Sequence, residues 1–585
     1  MEKRVIIAVL LSFVVLYVYQ AMFAPKPVQR PRPAPATQAE GSAAPAAGQS
    51  AAPAPGTPAQ PGAAAAAPPG AQAPVAATVA VVAVADTEER EVLIETESLH
   101  AVFSNRGAVL KSWRLKTYKD KAGRPVDLVP QTLKDDPKPF GIRTGSDAVD
   151  ARANSALFRV DGGGASLDPR TGTYRAGFEY REQNGISLRK VFTVDPKTFT
   201  VHAVIEASVG GSPANVAVVM GPGPGDIETS EASRYMMGAR ANLYRAGKVE
   251  RHDAAALDRQ PLLEGAMRWA GVDDHYFMST VLARTGNVRI EYAPRRTQDA
   301  LGKTTHTFVG YTVDLAGPGV DATFFIGPKA FDVLKDIDRR EGLDGQFVLA
   351  IDYGMFRPIV VPLLNALKWV NGYLGNYGWS IIGLTFLINL ALLPLRHKSV
   401  VSMRKMQELQ PEIKAIQDRY GKLKTTDPER QKMNQELMEL YKQRGVNPAS
   451  GCVPMLLTMP ILFAFYSMLA YSIELRGAPF GLWIKDLSVF DPYFVSPVLT
   501  GITMLVQQRM TPQTSTDPVQ QKMFMFMPVI FTVMFLWAPS GLNIYWLVNN
   551  VLAIAQQYFT NLIIGAPRVP RPPAERRLKK SDAPA

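Results

Sequence analysis

The chain has almost no cysteine. Cys452 stands alone among 585 residues, so no internal disulfide can form and no cysteine-based zinc site can be assembled. A phosphate-binding loop is missing as well: Gly221-Pro-Gly-Pro-Gly225 lacks the Lys-Ser/Thr ending and its prolines remove backbone donors, so it reads as a structural turn. Use of ATP is not expected. Histidine is scarce, at six residues, and the one suggestive cluster, Asp273-Asp274-His275, has no second ligand pair at metal spacing. No cofactor or metal is expected, and the chain does not read as an enzyme. Acidic residues are outnumbered, 52 against 64 Lys and Arg; the net +12 favours partners that carry phosphate, whether lipid headgroups or RNA.

Almost no large apolar side chains occur in residues 25–85, which are mainly Ala, Pro, Gly and Gln. Such a tract has too little to bury to order its backbone, and a disordered tether is expected. Before it, residues 1–24 hold an apolar run from Val5 to Phe23, preceded by Lys3 and Arg4. Its 19 residues approach the ~20 needed to cross about 30 Å of hydrocarbon, and no A-x-A cleavage pattern lies near Ala21 or Ala24, so a retained anchor helix is expected. Residues 86–347 alternate apolar and polar side chains in short runs. Phe199, Val201, Ala203 and Ile205 interleave with Thr200, His202, Val204 and Glu206, as in a half-buried strand, and a large all-β sandwich is predicted.

Charge is missing from several later stretches. Residues 348–376 include an amphipathic segment, Phe356 to Val370, whose Trp369 and Lys368 suit a helix lying at a membrane interface. Within 377–566 five apolar segments follow: Tyr377 to Leu395, Cys452 to Ile473, Tyr493 to Gln508, Met523 to Pro539 and Gly541 to Ala566. With the first helix they make six transmembrane candidates. The loop 396–450 carries 12 Lys/Arg against 7 Asp/Glu, which places it in the cytoplasm by the positive-inside rule. Counting spans then puts both termini and the basic tail 567–585 inside, and the β-rich region and residues 474–492 outside. The cytoplasmic loop reads as a helical hairpin. Its apolar seam runs through Val400, Met403, Met406, Leu409, Ile413, Ile416 and Tyr420; Asp427-Pro428 opens the second helix and Gly445 ends it. The uncharged part of the Tyr493 segment has 16 residues and covers only about 24 Å, so local thinning of the bilayer or snorkelling flanks is expected.

Polar residues in these spans fall into stripes. Ser496, Thr500, Thr503 and Gln507 recur at spacings of 4, 3 and 4; Thr385 and Asn389 are i and i+4; the last span carries Asn543, Trp546, Asn550 and Gln557 beside Tyr545, Asn549 and Gln556. Interhelical hydrogen bonding is one explanation. The other is a water-accessible groove that lowers the cost of moving a polar flank partway through the membrane. A solute transporter is a rival, but no repeated, interrupted helices mark it. A periplasmic enzyme or carbohydrate-binding domain on an anchor would need only one helix.

Asn447-Pro-Ala-Ser-Gly-Cys-Val-Pro-Met-Leu-Leu-Thr-Met-Pro-Ile-Leu-Phe-Ala-Phe-Tyr466, Asp517-Pro-Val-Gln-Gln-Lys-Met-Phe-Met-Phe-Met-Pro528 and Pro539-Ser-Gly-Leu-Asn-Ile-Tyr545 resemble the YidC/Oxa/Alb family of membrane insertases. The first helix, the linker and a β-rich region containing Phe103-Ser-Asn-Arg-Gly107 resemble its long Gram-negative form. The resemblance implies a monomeric inner-membrane insertase with a periplasmic β-supersandwich and a five-helix core enclosing a hydrophilic groove. It also implies nascent membrane proteins as clients, supplied by ribosomes or the signal recognition particle pathway, with or without the SecYEG translocon. Groove residues are then expected among Thr385, Asn389, Thr503, Gln507, Asn543, Tyr545, Trp546 and Asn550. Family members commonly carry an arginine where this chain has Asn389, so the expected groove works by hydration, with Arg396 at the cytoplasmic mouth as the nearest cation.

Overall fold

The computed structural model describes residues 82–120, 122–226, 237–283, 287–298, 305–420, 429–446, 453–510 and 518–564. The anchor, residues 25–81 of the linker, Asp427-Pro428, Cys452 and the basic tail lie outside the described residues, while the linker's last residues include a strand, Val82–Val84, paired with Thr173–Glu182. Alternation in the first half becomes strand structure. Ile186–Asp195 buries Ile186, Leu188, Lys190, Phe192 and Val194 on one face, and Thr200–Val209 buries Val201, Ala203 and Ile205 on the same pattern. Sixteen described strands join in one sheet. Its main path runs Val82–Val84, Thr173–Glu182, Ile186–Asp195, Thr200–Val209, Val320–Pro328, Phe277–Leu282, Leu262–Asp273, Asn287–Gln298, Thr305–Asp314, Ala217–Gly223 and Gly141–Arg143, antiparallel throughout. A second sheet of four strands, Glu91–Glu95, Leu99–Ser104, Val109–Lys119 and Pro125–Asp127, shares its core: the Trp113 indole donates to the Ile326 carbonyl of the first sheet at 2.7 Å. Two short helices, α1 (Asp147–Ser155) and α2 (Ala254–Arg259), lie between strands.

The predicted turn at Gly221 is instead the end of strand Ala217–Gly223, whose register slips between Val219 and Pro222. Pro222 has no N–H to keep the ladder regular. Gly221 adopts φ +62°, and a Cβ there would lie 2.2 Å from the Pro137 carbonyl oxygen, so only glycine lets the two chains approach.

The β region passes into helix through α3 (Phe331–Glu341), which buries Phe331, Leu334 and Ile337, and α4 (Arg357–Leu374), which buries Val360, Leu364, Leu367 and Val370. Pro358 sits in the first turn of α4, where no helical bond is lost, and Gly375 closes the helix in the left-handed conformation. Then come α5 (Tyr377–Glu408), α6 (Gln410–Arg419), α7 (Glu429–Gln443), α8 (Val453–Tyr471), α9 (Val495–Met510), α10 (Pro518–Phe535) and α11 (Ser540–Ile564). Asn376 caps α5 by accepting from the Trp379 N–H, and Asp491 accepts from Ser496 N–H at the start of α9. Tyr420 and residues 429–438 form part of a separate compact unit, in which the Tyr420 hydroxyl donates to Glu436 at 2.8 Å.

Helix α10 stops at Phe535, four residues before the end of the predicted segment. The following corner is held by residues 487–490: Phe490 bridges Pro539, Ser540 N–H donates to the Val489 carbonyl at 2.7 Å, and Gly541 N–H donates to that of Leu487 at 2.9 Å. Phe386, Leu390, Ile502, Leu505, Phe526, Ile530, Phe559 and Ile563 are exposed on α5, α9, α10 and α11. That much bare apolar surface marks a face that contacts lipid or another protein rather than water. Among the described residues, α5 alone is both long and apolar enough to cross a membrane; Met459–Tyr471 and Met525–Phe535 are shorter apolar helices.

Several polar contacts lock the β region to the bundle. Arg476 pairs with Asp226 at 2.6 Å, both nearly inaccessible, with its guanidinium 4.8 Å from the Phe277 ring centre. Lys368 on α4 pairs with Asp332 on α3 at 2.8 Å and with Glu474 at 2.7 Å. His275 Nε2 lies 2.8 Å from the carbonyl oxygen of Ala470 on α8.

Candidate functional site

The His275 contact explains the Asp273-Asp274-His275 cluster. Burial would raise the Asp273 carboxyl, but Lys329 at 2.8 Å and Arg240 at 3.0 Å outweigh it and hold it below the usual range. Burial, then the charge of Asp226, pushes Asp274 up to about 7; burial, then Lys329, pushes His275 down to about 4. Perturbed groups of this kind mark active sites when they line a cleft. Here Asp274 accepts the Tyr276 and Phe277 N–H groups and His275 serves the junction with α8, so the cluster is architectural. No group of three metal-binding side chains occurs among the described residues.

The polar stripes of the helices separate into two sets. Between α9 and α11, the Asn550 amide donates to the Thr500 carbonyl at 3.4 Å and to the Thr503 hydroxyl at 3.2 Å, while Thr500 donates to the Asn543 carbonyl at 3.4 Å. The Asn543 amide donates to the carbonyls of Phe535 (3.2 Å) and Ala538 (3.4 Å), which accounts for the early end of α10. Asn543, Asn550 and Thr503 therefore serve helix packing. Gln507 is half-buried about one turn beyond Thr503. Tyr545 is buried and stacks on Phe465 with ring centres 4.3 Å apart; Trp546 packs on Phe531 and Phe535 at 6.0 and 5.0 Å.

The second set lies between α5 and α11. Thr385 is fully buried and its hydroxyl donates to the Ile381 carbonyl one turn back at 2.6 Å, so it offers no spare donor. Asn389 donates to the Thr385 carbonyl at 2.8 Å and to Asn549 Oδ1 at 3.3 Å. Arg396 donates to Asn389 Oδ1 at 2.5 Å and to Asn549 Oδ1 at 3.4 Å. Arg396 lies about 10 Å along the helix from Asn389, but helical side chains lean toward the N-terminus and its long stem covers that distance. Arg396, the cation expected nearest to Asn389, delivers its guanidinium to the Asn389 amide. Its position in the sequence alone suggests the mouth of the bundle. Asn549 was visible in the last helix's stripe, but nothing in the spacing singles it out as the acceptor both partners share. A further pair was missed: Arg404, itself buried, donates to Asn561 Oδ1, which also accepts from Gln557 at 3.2 Å.

An all-β domain locked onto lipid-facing helices with a polar seam defines an integral membrane protein with a large extramembranous domain. Two family models divide the chain between them, one described as the YidC periplasmic domain over residues 91–366 and one as 60Kd inner membrane protein over residues 369–566. A protein of Citrifermentans bemidjiense named membrane protein insertase YidC is 40% identical over 577 residues, 96% of this chain and 99% of that relative. One of Geobacter sulfurreducens bearing the same name is 37% identical over 576 residues, 96% of this chain and 98% of the relative. A crystal structure titled as an active YidC insertase aligns with 82% of this chain and 95% of its own at 20% identity, with a TM-score of 0.34, too low to compare folds. The chain belongs to the YidC family of membrane protein insertases.

Proposed function

We propose that this chain inserts the hydrophobic segments of nascent membrane proteins into the inner membrane by lodging their polar flanks in a wet groove along the α5–α11 seam. The observation that carries this reading is the inward turn of Arg396. It lies about 29 Å along α5 from Tyr377, close to the far edge of a hydrocarbon layer, where an arginine would ordinarily turn its charge out to water. Instead it reaches back to Asn389 and Asn549, and hydration of the interior would lower the cost of holding that charge inward. The client's apolar segment then slides along the exposed faces of α9 and α10 and partitions into lipid, and burial of roughly 20 apolar residues supplies the driving force.

In this reading there are six spans, five of them forming the core, with both termini and the helical hairpin 396–450 in the cytoplasm and the β domain in the periplasm. The anchor 1–24, linker 25–85, β domain 86–347, interfacial region 348–376, core 377–566 and tail 567–585 follow in order. Clients arrive from ribosomes or the signal recognition particle pathway, and the chain works as a monomer, alone or beside SecYEG. Photo-crosslinkers at Thr385, Asn389, Tyr545 and Trp546 during synthesis of a small single-span protein test the groove. Adducts to the nascent chain at these positions are expected; adducts confined to lipid-facing controls such as Phe526 and Ile530 would remove it.

A further inference from the structure

Between α8 and α9 the chain makes a tight hairpin. Ile484 N–H donates to the Gly481 carbonyl at 3.1 Å and Gly481 N–H to that of Ile484 at 3.4 Å, which leaves Leu482 and Trp483 as a two-residue tip. Tips of this kind favour Asn, Asp or Gly, because the backbone must turn left-handed. Here Leu482 takes that conformation, at φ +53°. Its side chain is 89% exposed, more than any other large apolar side chain among the described residues. In water such a residue is unfavourable twice over, strained in its backbone and uncovered in its side chain.

The position of the tip supplies a reason for it. Asn376, whose oxygen caps α5, donates through its amide to the Pro479 carbonyl at 2.9 Å. Phe480 lies so close to Gly378 that a Cβ there would stand 2.1 Å from its ring. Leu482 is therefore within two residues, at most about 7 Å, of the first turn of α5. The apolar run from Tyr377 to Leu395 rises about 28 Å, nearly the full ~30 Å of hydrocarbon, so that first turn stands at the hydrocarbon edge. Headgroups extend about 5–7 Å beyond the edge, which keeps the tip inside the bilayer. Trp379 and Tyr493, 55% and 70% exposed, flank the hairpin, with rings 5.5 Å from Phe480 and 6.4 Å from Trp483. Both residue types concentrate at the headgroup level of membranes.

We propose that the hairpin 481–484 is a membrane wedge: Leu482 inserts among the upper acyl-chain carbons of the leaflet around the start of α5 and fixes the height at which this end of the bundle rides. Lipid is the occupant of the tip, not a client or a second copy of the chain. The inference rests on α5 crossing the bilayer and is independent of the groove.

The test uses the full chain carrying Cys452→Ser and Leu482→Cys, labelled with a nitroxide and reconstituted in vesicles of phosphatidylethanolamine and phosphatidylglycerol. Collisions with oxygen, which dissolves in lipid, should exceed those with a water-soluble nickel chelate several-fold, and the order should reverse for the same label at the exposed Ser212 of the β domain. Nickel collisions as frequent at 482 as at 212 would put the tip in water and end the proposal. Protection from both reagents would end it too, by showing a protein cover. A second measurement keeps Leu482 and places the label at Tyr493. Leu482→Asn, which suits the left-handed turn, should move that label toward water, whereas Leu482→Met should leave its depth unchanged. An unchanged depth in Leu482→Asn would show that the leucine holds nothing in place and would overturn the wedge even if the 482 label disturbs the fold. Loss of the groove crosslinks at Asn389 and Tyr545 would count against the groove alone, since the depth of the tip does not depend on them.

Discussion

Lys190 shows how far a residue can depart from the pattern that contains it. Alternation along Ile186–Asp195 assigns it to the buried face, and it is indeed wholly inaccessible, with its ammonium donating to the carbonyls of Gly107 and Phe140 at 2.7 Å each. Burial pushes its pKa down to about 7. The unfolded chain, with an ordinary lysine near 10.4, holds this proton between pH 7 and 10 while the folded chain releases it, so stability rises across that window. Unfolding of the full chain in detergent, followed by tryptophan fluorescence, should show this slope. Lys190→Met should flatten it and cost about 2 kcal/mol at pH 7 by stranding two carbonyls. The inward-facing lysine was legible in the sequence; its acceptors, 50 and 83 residues away, were not. Asn389 and Arg396 are a parallel case, since each was visible alone but their meeting depends on a side chain that folds back along its own helix.

Among the elements, the existence of the apolar helices could be read from hydrophobic runs, whereas their ends and contacts could not. Helix α10 ends where Asn543 takes its last carbonyls, a contact between segments that no local pattern records. Helices α9 and α10 meet at Gly501, where an added Cβ would stand 2.1 Å from Thr532 Oγ1. Gly501→Val should force the pair apart and cost about 2 kcal/mol, measured as lost resistance to thermal unfolding, and Thr532→Ala should restore part of it. The 16 residues of α9 rise only about 24 Å. Spin labels flanking Tyr493 and Gln508 should accordingly report a bilayer several ångströms thinner beside this helix than in bulk, and equal depths would refute the expectation.

At the scale of the whole molecule, the β domain does not hang from the bundle on a loose strand. Arg476–Asp226, Lys368 with its two carboxylates, and His275 against α8 join them through side chains drawn from both parts. The division into a β region and a helical core was legible from composition, but this docking was not, because its partners lie as much as 250 residues apart. Arg476→Ala leaves Asp226 buried without its bidentate partner, a loss of about 3–5 kcal/mol for a pair of this kind. Hydrogen exchange should then quicken in Phe277–Leu282 and α3 while the far strands of the sheet keep their protection; uniform protection throughout would show that the pair is dispensable.

The corner at Pro539, laced to residues 487–490, has a consequence for what can pass. On the proposed topology it shuts the periplasmic end of the bundle, making the seam a cul-de-sac entered from one side and left sideways. A client can park a short tail in a blind alley, but a folded domain or a long chain cannot be threaded through one. The length of the exported flank, more than its apolar segment, then decides which proteins this chain can serve unaided.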